Sequence, residues 1–549
     1  MIILGVNGWI ERGHDASAAL IVNGEPVCAV EEERLIREKH AYDRVPVTAA
    51  QFCLDYAGIS PDEIDKIGVS WNFPFLYKLH RREWAGSQTL SHYLFGSEEY
   101  AQKIEYVDHH FAHACGAYFP SGYNDALVLI IDGQGETFST SLWWGEGSDL
   151  TFIKGYDVNR SFGYLYSAAT KHAGFRIGDE GKTMGLSAYG SPRYKEFLEK
   201  IMYMDKNGEL FTEIKSTPNP SCIDEEGEII EQWHNHFEKQ IPPSKIPLRQ
   251  VEGNQCYADL AASVQMMLQE MVVTMVTKYT KKLNTKNVCI AGGVGLNCQL
   301  NGEILSLPFV DNVFIQPAAN DGGTSLGAAL ALCSTNGEDI KRNMNVYMGP
   351  EFNNKYIEQC IKKRGLPYRK CSAVEKETAS LLAENKVIAV FQGRLEFGPR
   401  ALGNRSVLAD PSSFQIKDKV NVLKGRELWR PLAPSILTER QEEYISSDYV
   451  SPYMTIAFPV TDITIESAPA IVHVDKTARI QTVPKDHNMT FWNIIRHFEQ
   501  LTDLPIVLNT SFNKRGEPIV CTPDDALNTF IKMKLDHLVM GTYIVDYRE

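Results

Sequence analysis

The stretch "ALVLIIDGQGETFSTSLWW", residues 126–144, holds an apolar run, a glycine-rich turn and a second run of strand-forming residues. Apolar residues fill positions 126–131 without a break, which predicts a buried strand bounded by a turn. Asp132 ends that strand, and Gly133 and Gly135 follow it. Because glycine permits close approach to the backbone, we expect the Asp132 carboxylate to face a ligand.

The N-terminus has the same organisation. Residues 1–40 predict three strands and a charged helix, with Asn23-Gly24 as a hairpin turn. The resemblance between this segment and residues 126–156 indicates an internal duplication. Residues 287–305 and 313–332 each predict a strand, a glycine turn and a helix. These alternating patterns are typical of an α/β fold.

The composition of the chain limits the classes of function and partner that it can have. The chain has 549 residues, a net charge of -14 and 44% hydrophobic residues, which fits a globular protein of two or more domains. The acidic balance disfavours nucleic acid as a partner. We find no stretch approaching transmembrane length and no signal peptide, so we expect no membrane partner. The 11 cysteines include no C-x-x-C pair and suggest reduced thiols in a cytoplasmic protein.

The pattern changes near Gly349-Pro350, where we place a domain boundary that gives domains of residues 1–347 and 348–549. A new α/β unit follows, with a helix near 355–364 and strands that run into loops rich in glycine and arginine. Residues 203–255 are polar and lack a clear period, which predicts an irregular insertion or lid.

Three histidines lie close together in "YVDHHFAHACGAYFP", residues 106–120. In a helix, His109 and His113 share one face, at a spacing known for two imidazoles on one divalent metal. His110 would point elsewhere. The alternative is a pair of buried histidines that bond to backbone, and the spacing alone does not choose between them.

Several glycine turns suit phosphate binding, because backbone N–H groups and helix N-termini attract anions. They lie at residues 132–136, 179–185, 291–297 and 320–329. Each one alone is more readily a structural turn. Together they are similar to the distributed nucleotide site of the actin/sugar-kinase/heat-shock superfamily.

Nine ordered motifs carry a more specific resemblance, to the O-carbamoyltransferases of nodulation-factor and antibiotic biosynthesis. They are "GHDASAAL", "EEERLIREKH", "DHHFAHA", "DGQGE", "DEGKTMGLSAYG", "AGGVGLN", "FGPRALGNRS", "KGRELWRPLAPSIL" and "LNTSFN". They span nearly the whole chain. The resemblance implies an N-terminal duplicated actin/sugar-kinase/heat-shock-like domain and a C-terminal YrdC-like α/β domain.

The resemblance also implies an activity. Enzymes of this family make carbamoyl-adenylate from carbamoyl phosphate and ATP, then move the carbamoyl group to an acceptor hydroxyl and release AMP. Mg²⁺ is expected with ATP. The acceptor is expected to be a small-molecule natural product, in secondary metabolism such as antibiotic biosynthesis. The sequence does not identify it, and for the assembly we expect a homodimer.

The resemblance assigns roles to particular residues. The metal ligands are His109, His113, Asp132 and Asp321, with iron expected, while the ligand chemistry leaves manganese or zinc open. The nucleotide-binding residues are Lys39, Gly133, Gly135, Glu180, Gly181, Gly292, Gly293, Asn297 and Asp321. The carbamoyl-phosphate-binding residues are Arg400, Arg405, Lys424, Arg430, Arg479 and Asn509, with Arg426 nearby. Guanidinium groups bind phosphate in a bidentate manner, although a solvated basic surface is the alternative.

His14 is the candidate general base, with Asp15 beside it, because a neutral imidazole accepts protons near pH 7. The alternative is a turn histidine that caps the next strand. Two other functions remain open. One is a tRNA threonylcarbamoyl-type modifying enzyme, and the other is a non-carbamoylating ATPase of the same superfold.

Overall fold

The computed structural model describes residues 1–218, 220–245, 248–343 and 345–547. The chain divides into two compact units. The first unit contains Met1–Ile36 and His40–Asn345, and the second contains Arg37–Lys39 and Val346–Glu549. This division lies beside the boundary expected after residue 347, and it assigns the short Arg37–Lys39 segment to the second unit.

The first unit contains both strands and helices. Its strands are β1 (Ile2–Asn7), β2 (Ser17–Val22), β3 (Glu25–Glu31), β4 (Lys66–Val69), β5 (Ile104–Tyr106), β6 (Asp125–Ile131), β7 (Phe138–Glu146), β8 (Asp149–Asp157), β9 (Met202–Met204), β10 (Leu210–Thr212), β11 (Asn287–Ala291) and β12 (Asn312–Ile315). Its α-helices are α1 (Glu32–Ile36), α2 (Val47–Ala57), α3 (Phe73–Leu79), α4 (Ser87–Phe95), α5 (His109–Ser121), α6 (Phe162–His172), α7 (Glu180–Ser187), α8 (Lys195–Leu198), α9 (Glu226–Phe237), α10 (Gln255–Leu283), α11 (Cys298–Leu305) and α12 (Thr324–Thr335).

Two five-stranded sheets of the first unit have the same topology. One has the order β3-β2-β1-β4-β5 and the other the order β8-β7-β6-β11-β12. In each sheet the first three strands in sequence pair antiparallel, and the two later strands add in parallel. This repeated arrangement confirms the internal duplication and the actin/sugar-kinase/heat-shock-like fold.

Helices α5 and α12 cross closely, and this crossing brings the candidate metal ligands together. A Cβ added to Gly327 of α12 would lie 1.9 Å from the carbonyl oxygen of Ala112 in α5. The Asp108 side chain caps α5 by accepting a hydrogen bond from the Phe111 amide, 2.8 Å away. His109 and His113 therefore occupy the first turns of α5, beside the start of α12.

Replacing Gly327 by alanine should destabilise the first unit by about 1–3 kcal/mol, because the added methyl group overpacks the helix crossing. The measurement is the free energy of unfolding in a denaturant titration. Gly181→Ala is the matched control, because a Cβ at Gly181 meets no atom within 4 Å. Equal stability of the two variants would contradict the close crossing.

The expectation that residues 203–255 are irregular is wrong in part. Strands β9 and β10 form a hairpin, and α9 covers Glu226–Phe237. Helix α9 buries Ile229, Ile230, Trp233 and Phe237, an apolar spacing that has the helical period. The many polar residues between these positions concealed the pattern.

The expectation that no stretch approaches transmembrane length also needs correction. Helix α10 has 29 residues, and its most apolar window has a mean hydropathy of 1.3. That window is 67% buried within the protein. Burial of this kind is typical of a core helix, so the length of α10 is weak evidence for a membrane span.

The second unit is built on an eight-stranded mixed sheet, beside which two further strands form a pair. Its strands are β13 (Tyr368–Lys370), β14 (Ile388–Phe391), β15 (Arg405–Ala409), β16 (Ala433–Leu437), β17 (Ala457–Pro459), β18 (Thr477–Arg479), β19 (Gln481–Val483), β20 (Ile506–Ser511), β21 (His537–Met540) and β22 (Tyr543–Asp546). Its helices are α13 (Asn354–Arg364), α14 (Val374–Ala383), α15 (Phe414–Lys424), α16 (Gln441–Tyr444), α17 (Asp462–Ser467), α18 (Met489–Thr502) and α19 (Pro523–Met533). The eight-stranded sheet has the order β13-β22-β21-β14-β15-β20-β16-β19, and β17 pairs with β18. This is the mixed α/β architecture expected for a YrdC-like domain.

Candidate metal centre and anion site

Four buried side chains of the first unit converge on one point: His109, His113, Asp132 and Asp321. One ligand atom from each lies within 4.8 Å of the others. The His109 and His113 Nε2 atoms lie 3.4 and 3.1 Å from Asp132 Oδ2, and 3.6 and 3.7 Å from Asp321 Oδ1. All four were predicted as metal ligands, and the fold brings them together from α5, the end of β6 and the turn before α12.

Neighbouring groups orient His109 for metal binding. Its Nδ1 atom lies 3.1 Å from the Ser70 carbonyl oxygen. Because a carbonyl only accepts, Nδ1 carries a proton, and Nε2 is the ring atom that faces the cluster. The Trp71 ring stacks on the imidazole at 3.8 Å between centroids, and the buried Glu136 carboxylate accepts from the His109 amide at 3.0 Å.

Backbone amides orient Asp132 in a similar way. Its Oδ1 atom accepts from the amides of Gly133, at 2.8 Å, and Gly293, at 3.1 Å. Oδ2 is thereby left toward the imidazoles. The two glycine amides were predicted to bind a nucleotide, but in the structure they hold a candidate metal ligand instead.

Close backbone packing explains two further glycines of the predicted nucleotide set. A Cβ at Gly135 would lie 2.6 Å from His110 Cδ2, and one at Gly292 would lie 2.2 Å from the Ile131 carbonyl oxygen. Gly292 also has a φ of +88°, which disfavours other residues. The protein itself occupies the space beside both residues, so packing accounts for them without a ligand.

The electrostatics of the cluster fit a divalent cation. Burial opposes ionisation of Asp321, yet His109 and His14 lower its pKa to about 2. The pKa of Asp132 is also lowered, against burial, by hydrogen bonds from His109 and His113. Two carboxylates and two imidazoles on one point form a mixed oxygen and nitrogen ligand set that suits iron, manganese or zinc.

His110 does not belong to the ligand set. Its Nδ1 atom lies 2.7 Å from Ser141 Oγ, away from the cluster. Burial, followed by the nearby His109, lowers the pKa of His110 to about 3. It is therefore a neutral core histidine, as the helical spacing indicates.

His14 and Asp15 lie at the edge of the metal cluster. His14 Nε2 is 3.9 Å from Asp321 Oδ2, and the imidazole is 47% exposed, so solutes can reach it. His40, which sequence reasoning missed, lies with its Nδ1 2.9 Å from Asp15 Oδ1. Partial desolvation would lower the pKa of His14, but Asp321 and Asp15 raise it to about 10. The protonation of His14 therefore depends on whether a cation engages Asp321.

Three other residues of the predicted nucleotide set, Glu180, Gly181 and Lys39, have different surroundings. Glu180 accepts hydrogen bonds from Ser167 Oγ, at 2.8 Å, and from the Gly178 amide, at 3.2 Å. A Cβ on Gly181 would meet open space. Lys39 belongs to the segment that groups with the second unit. For these three residues, nucleotide binding stays a prediction.

Asn297 has a structural role instead of the predicted nucleotide contact. Its side chain caps α11 by accepting from the Leu300 amide at 3.1 Å. It also exchanges two hydrogen bonds with the buried Gln265 amide, at 2.8 and 3.2 Å. Both ends of the Asn297 side chain are engaged by the protein.

In the second unit, four cationic side chains gather near the ends of α15 and β18: Lys424, Arg426, Arg430 and Arg479. Burial and then the Arg426 and Arg430 charges lower the pKa of Lys424. Burial, Arg430 and Arg479 lower the pKa of Arg426. Mutual repulsion of buried cations is a feature of a site that binds an anion. We call these four residues the cation cluster.

Hydrogen-bond acceptors and a carboxylate of the second unit contact members of the cation cluster. Arg426 donates to Thr510 Oγ1 at 2.9 Å, and Lys424 donates to the Asn513 carbonyl at 2.9 Å. Glu427 is the carboxylate 3.8 Å from Arg430. Neutral acceptors therefore engage two of the four cations, and a carboxylate lies near a third. Binding of phosphate by Lys424, Arg430, Arg479 and Arg400 stays a prediction.

Arg405 was predicted to bind carbamoyl phosphate, and its surroundings argue against that role. The side chain is fully buried and donates to the backbone carbonyls of Gln392, Gly393 and Pro350. The guanidinium also lies over the Phe391 ring at 3.8 Å. These carbonyl acceptors satisfy the hydrogen-bond donors of the buried guanidinium, so Arg405 stabilises the conformation of the loop around it.

Asn509 lies in the same core as these loops. Its amide nitrogen donates to Ser435 Oγ at 2.9 Å, Gln481 Oε1 at 3.2 Å and Ala401 O at 3.2 Å. Its buried Oδ1 has no hydrogen-bond partner among the described residues. An acceptor of this kind cannot bind a phosphate oxygen, but it can accept from an N–H group such as that of carbamoyl phosphate. Binding of carbamoyl phosphate by Asn509 stays a prediction.

Sequence reasoning missed several members of the first-unit site: Asn7, His40, Ser70, Trp71 and Glu136. Ser70 and Trp71 directly follow β4, and Asn7 ends β1. The available signal was position, because polar residues at the carboxyl ends of adjacent parallel strands often face a ligand site.

Comparisons with known proteins agree with the division of the chain into two units. A family model described as "Carbamoyltransferase N-terminus" matches residues 2–72 and 81–330, and one described as "Carbamoyltransferase C-terminus" matches residues 379–547. Nodulation protein NolNO of Sinorhizobium fredii is 35% identical, over 100% of this chain and 83% of that protein. Nodulation protein NolO of Bradyrhizobium diazoefficiens is 36% identical, over 80% and 79%.

A more distant relative and a solved structure extend the comparison. Nodulation protein U of Sinorhizobium fredii is 27% identical over 92% of this chain and 93% of that protein. The crystal structure of T. kodakarensis HypF covers 62% of this chain with 14% identity and a TM-score of 0.31. That score is too low to bear on fold or function.

Proposed function

The chain belongs to the carbamoyltransferase family and is a carbamoyltransferase, and from that premise we propose a two-step, ATP-dependent O-carbamoyl transfer. In the first step, carbamoyl phosphate, ATP and water give carbamoyl-adenylate, phosphate and pyrophosphate. In the second, an acceptor hydroxyl takes the carbamoyl group, loses its proton and releases AMP. We assign the first step to the second unit and the second step to the first unit.

The cation cluster is the observation that carries the proposal. Carbamoyl phosphate is a small dianion, and planar guanidinium groups bind phosphate through paired charge-assisted hydrogen bonds. Burial and then the neighbouring cations lower the pKa of Lys424 and Arg426, and an anion at this point would relieve the repulsion among them. The buried Asn509 Oδ1 offers an acceptor for the carbamoyl NH₂ group.

The first-unit site suits the transfer step. His109, His113, Asp132 and Asp321 would hold a divalent metal, which supplies a Lewis acid that stabilises negative charge on oxygen. His14 is exposed enough to meet an acceptor and lies 3.9 Å from Asp321. A cation held by Asp321 would offset the charge that keeps His14 protonated, and we assign to the neutral His14 the acceptor hydroxyl proton, with Asp15 as its hydrogen-bonding partner at 3.4 Å.

For the acceptor we propose a hydroxyl on a small natural product. The net charge of -14 disfavours a nucleic-acid acceptor, because binding to phosphate backbones needs a basic surface. Several relatives are nodulation proteins by name, and the small-molecule acceptor follows from the resemblance to the O-carbamoyltransferases of nodulation-factor and antibiotic biosynthesis. Mg²⁺ with ATP and a homodimeric assembly are part of the same proposal.

Product analysis tests this function. The full-length protein would be incubated with carbamoyl phosphate, MgATP and a panel of hydroxylated acceptors, and the products identified by mass spectrometry. We expect an acceptor mass gain of one carbamoyl group, with AMP formed in equal amount. ADP as the nucleotide product, or carbamoylation of tRNA in preference to every small acceptor, would contradict the proposal.

A further inference from the structure

A buried chain of hydrogen bonds links the turn that carries His14 to the imidazole of His109. We propose that Asn7 and Ser70 are positioning residues, and that they couple the His14–Asp15 turn to the metal ligand. The inference rests on the proposed function, because it takes the His109 cluster as a metal site. Neither residue has a ligand role of its own in that proposal.

Asn7 holds the His14–Asp15 turn. It ends β1 and is fully buried. Its Nδ2 atom donates to the carbonyl oxygens of His14, at 3.2 Å, and Asp15, at 3.1 Å. Its Oδ1 atom accepts from Ser70 Oγ at 2.9 Å. Both ends of the Asn7 side chain therefore have defined partners, which fixes its orientation.

Ser70 holds the metal side of the same chain. It directly follows β4, which pairs in parallel with β1, and it is fully buried. Its carbonyl oxygen accepts the proton on His109 Nδ1, 3.1 Å away. Its hydroxyl donates to Asn7 Oδ1. It also accepts from Thr324 Oγ1, 2.9 Å away and just beyond the Asp321 turn. Ser70 thus contacts both Asn7, which holds the His14–Asp15 turn, and His109, a candidate metal ligand.

The His14–Asp15 turn needs this support because its backbone is strained. Asp15 has a φ of +51°, in the left-handed region that non-glycine residues occupy at a cost. Its amide donates to the His40 carbonyl at 2.7 Å. Loss of the Asn7 hydrogen bonds would free two carbonyls of this turn and let it relax away from Asp321.

The test uses Co²⁺ as a probe of the metal site, since its visible bands report ligand geometry. Metal-free, full-length protein would be titrated with Co²⁺ alone, for the wild type, Asn7→Ala and Ser70→Ala. Ser263→Ala is the matched control. Ser263 is equally buried in the first unit, but its hydroxyl bonds to the Asp259 carbonyl and the Tyr194 amide.

We expect Co²⁺ binding that is weaker by up to about tenfold, and an altered visible spectrum, in Asn7→Ala and Ser70→Ala. This is the lower end of the range for direct outer partners of metal ligands, because the Ser70 carbonyl that accepts from His109 is present in both variants. Ser263→Ala should match the wild type, and thermal unfolding would confirm that the variants fold. Should Asn7→Ala not fold, Ser70→Ala decides, because it deletes a single oxygen.

Two outcomes overturn the inference, and they differ. Wild-type affinity and spectrum in both Asn7→Ala and Ser70→Ala, with Co²⁺ bound by the wild type, would refute the coupling and leave the metal site standing. No Co²⁺ binding by the wild-type protein would refute the metal site, and the coupling would fall with it.

Discussion

Replacing His113 by alanine should remove the bound metal and with it carbamoyl transfer. His113 supplies one of four converging ligand atoms, and its Nε2 lies 3.1 Å from Asp132 Oδ2. Loss of an outer partner of a metal ligand already costs about 10–100-fold in affinity, and loss of a ligand should cost more. The measurements are metal content of the purified protein and the rate of acceptor carbamoylation.

His110→Ala is the control for this prediction, because it removes a buried imidazole from the same helix. His110 bonds to Ser141 and not to the metal cluster, so its loss should leave the metal content unchanged. Asp132→Ala should behave like His113→Ala. The assignment would be refuted by full metal content in both ligand variants.

Replacing Arg430 by alanine should slow formation of carbamoyl-adenylate by about 10²–10³-fold, the loss typical for one donor of a preorganised charge-stabilising site. The Arg430 charge is one of the causes that lower the pKa of Lys424 and Arg426, which places it beside both. The measurement is the formation of pyrophosphate from ATP that depends on carbamoyl phosphate.

Arg496→Ala is the matched control in the same unit. Arg496 pairs with Glu499 three residues away, as Arg430 pairs with Glu427, but it lies on α18 outside the cation cluster. It should retain the wild-type rate. An unchanged rate in Arg430→Ala, or equal losses in both variants, would rule out a phosphate-binding role for Arg430.

Local sequence patterns predicted the parts of the site that local structure determines. The four-residue spacing of His109 and His113 places both imidazoles on one face of α5, and Asp132 follows β6 as expected for a polar residue at a strand end. The duplicated topology also follows from short-range patterns, because hairpin turns and glycine turns recur in both halves.

Roles set by distant contacts could not be read from the sequence. Gly133 and Gly293 stand in turns that suit a phosphate, yet both amides donate to Asp132 Oδ1, and Gly293 does so from 161 residues away. Arg405 stands in a motif of glycine and arginine, yet three backbone carbonyls hold it in the core. A serine and an asparagine at strand ends, such as Ser70 and Asn7, are too common to single out.

The central claim is that the two units perform separate chemical steps, and supplying carbamoyl-adenylate tests it most directly. Arg430→Ala and His113→Ala would each be assayed with carbamoyl phosphate and MgATP, and again with synthetic carbamoyl-adenylate, using the acceptor found in the panel. We predict that carbamoyl-adenylate restores transfer in Arg430→Ala and fails to restore it in His113→Ala, which still forms pyrophosphate from ATP. Failure of carbamoyl-adenylate to restore transfer in folded, metal-bound Arg430→Ala would contradict the account.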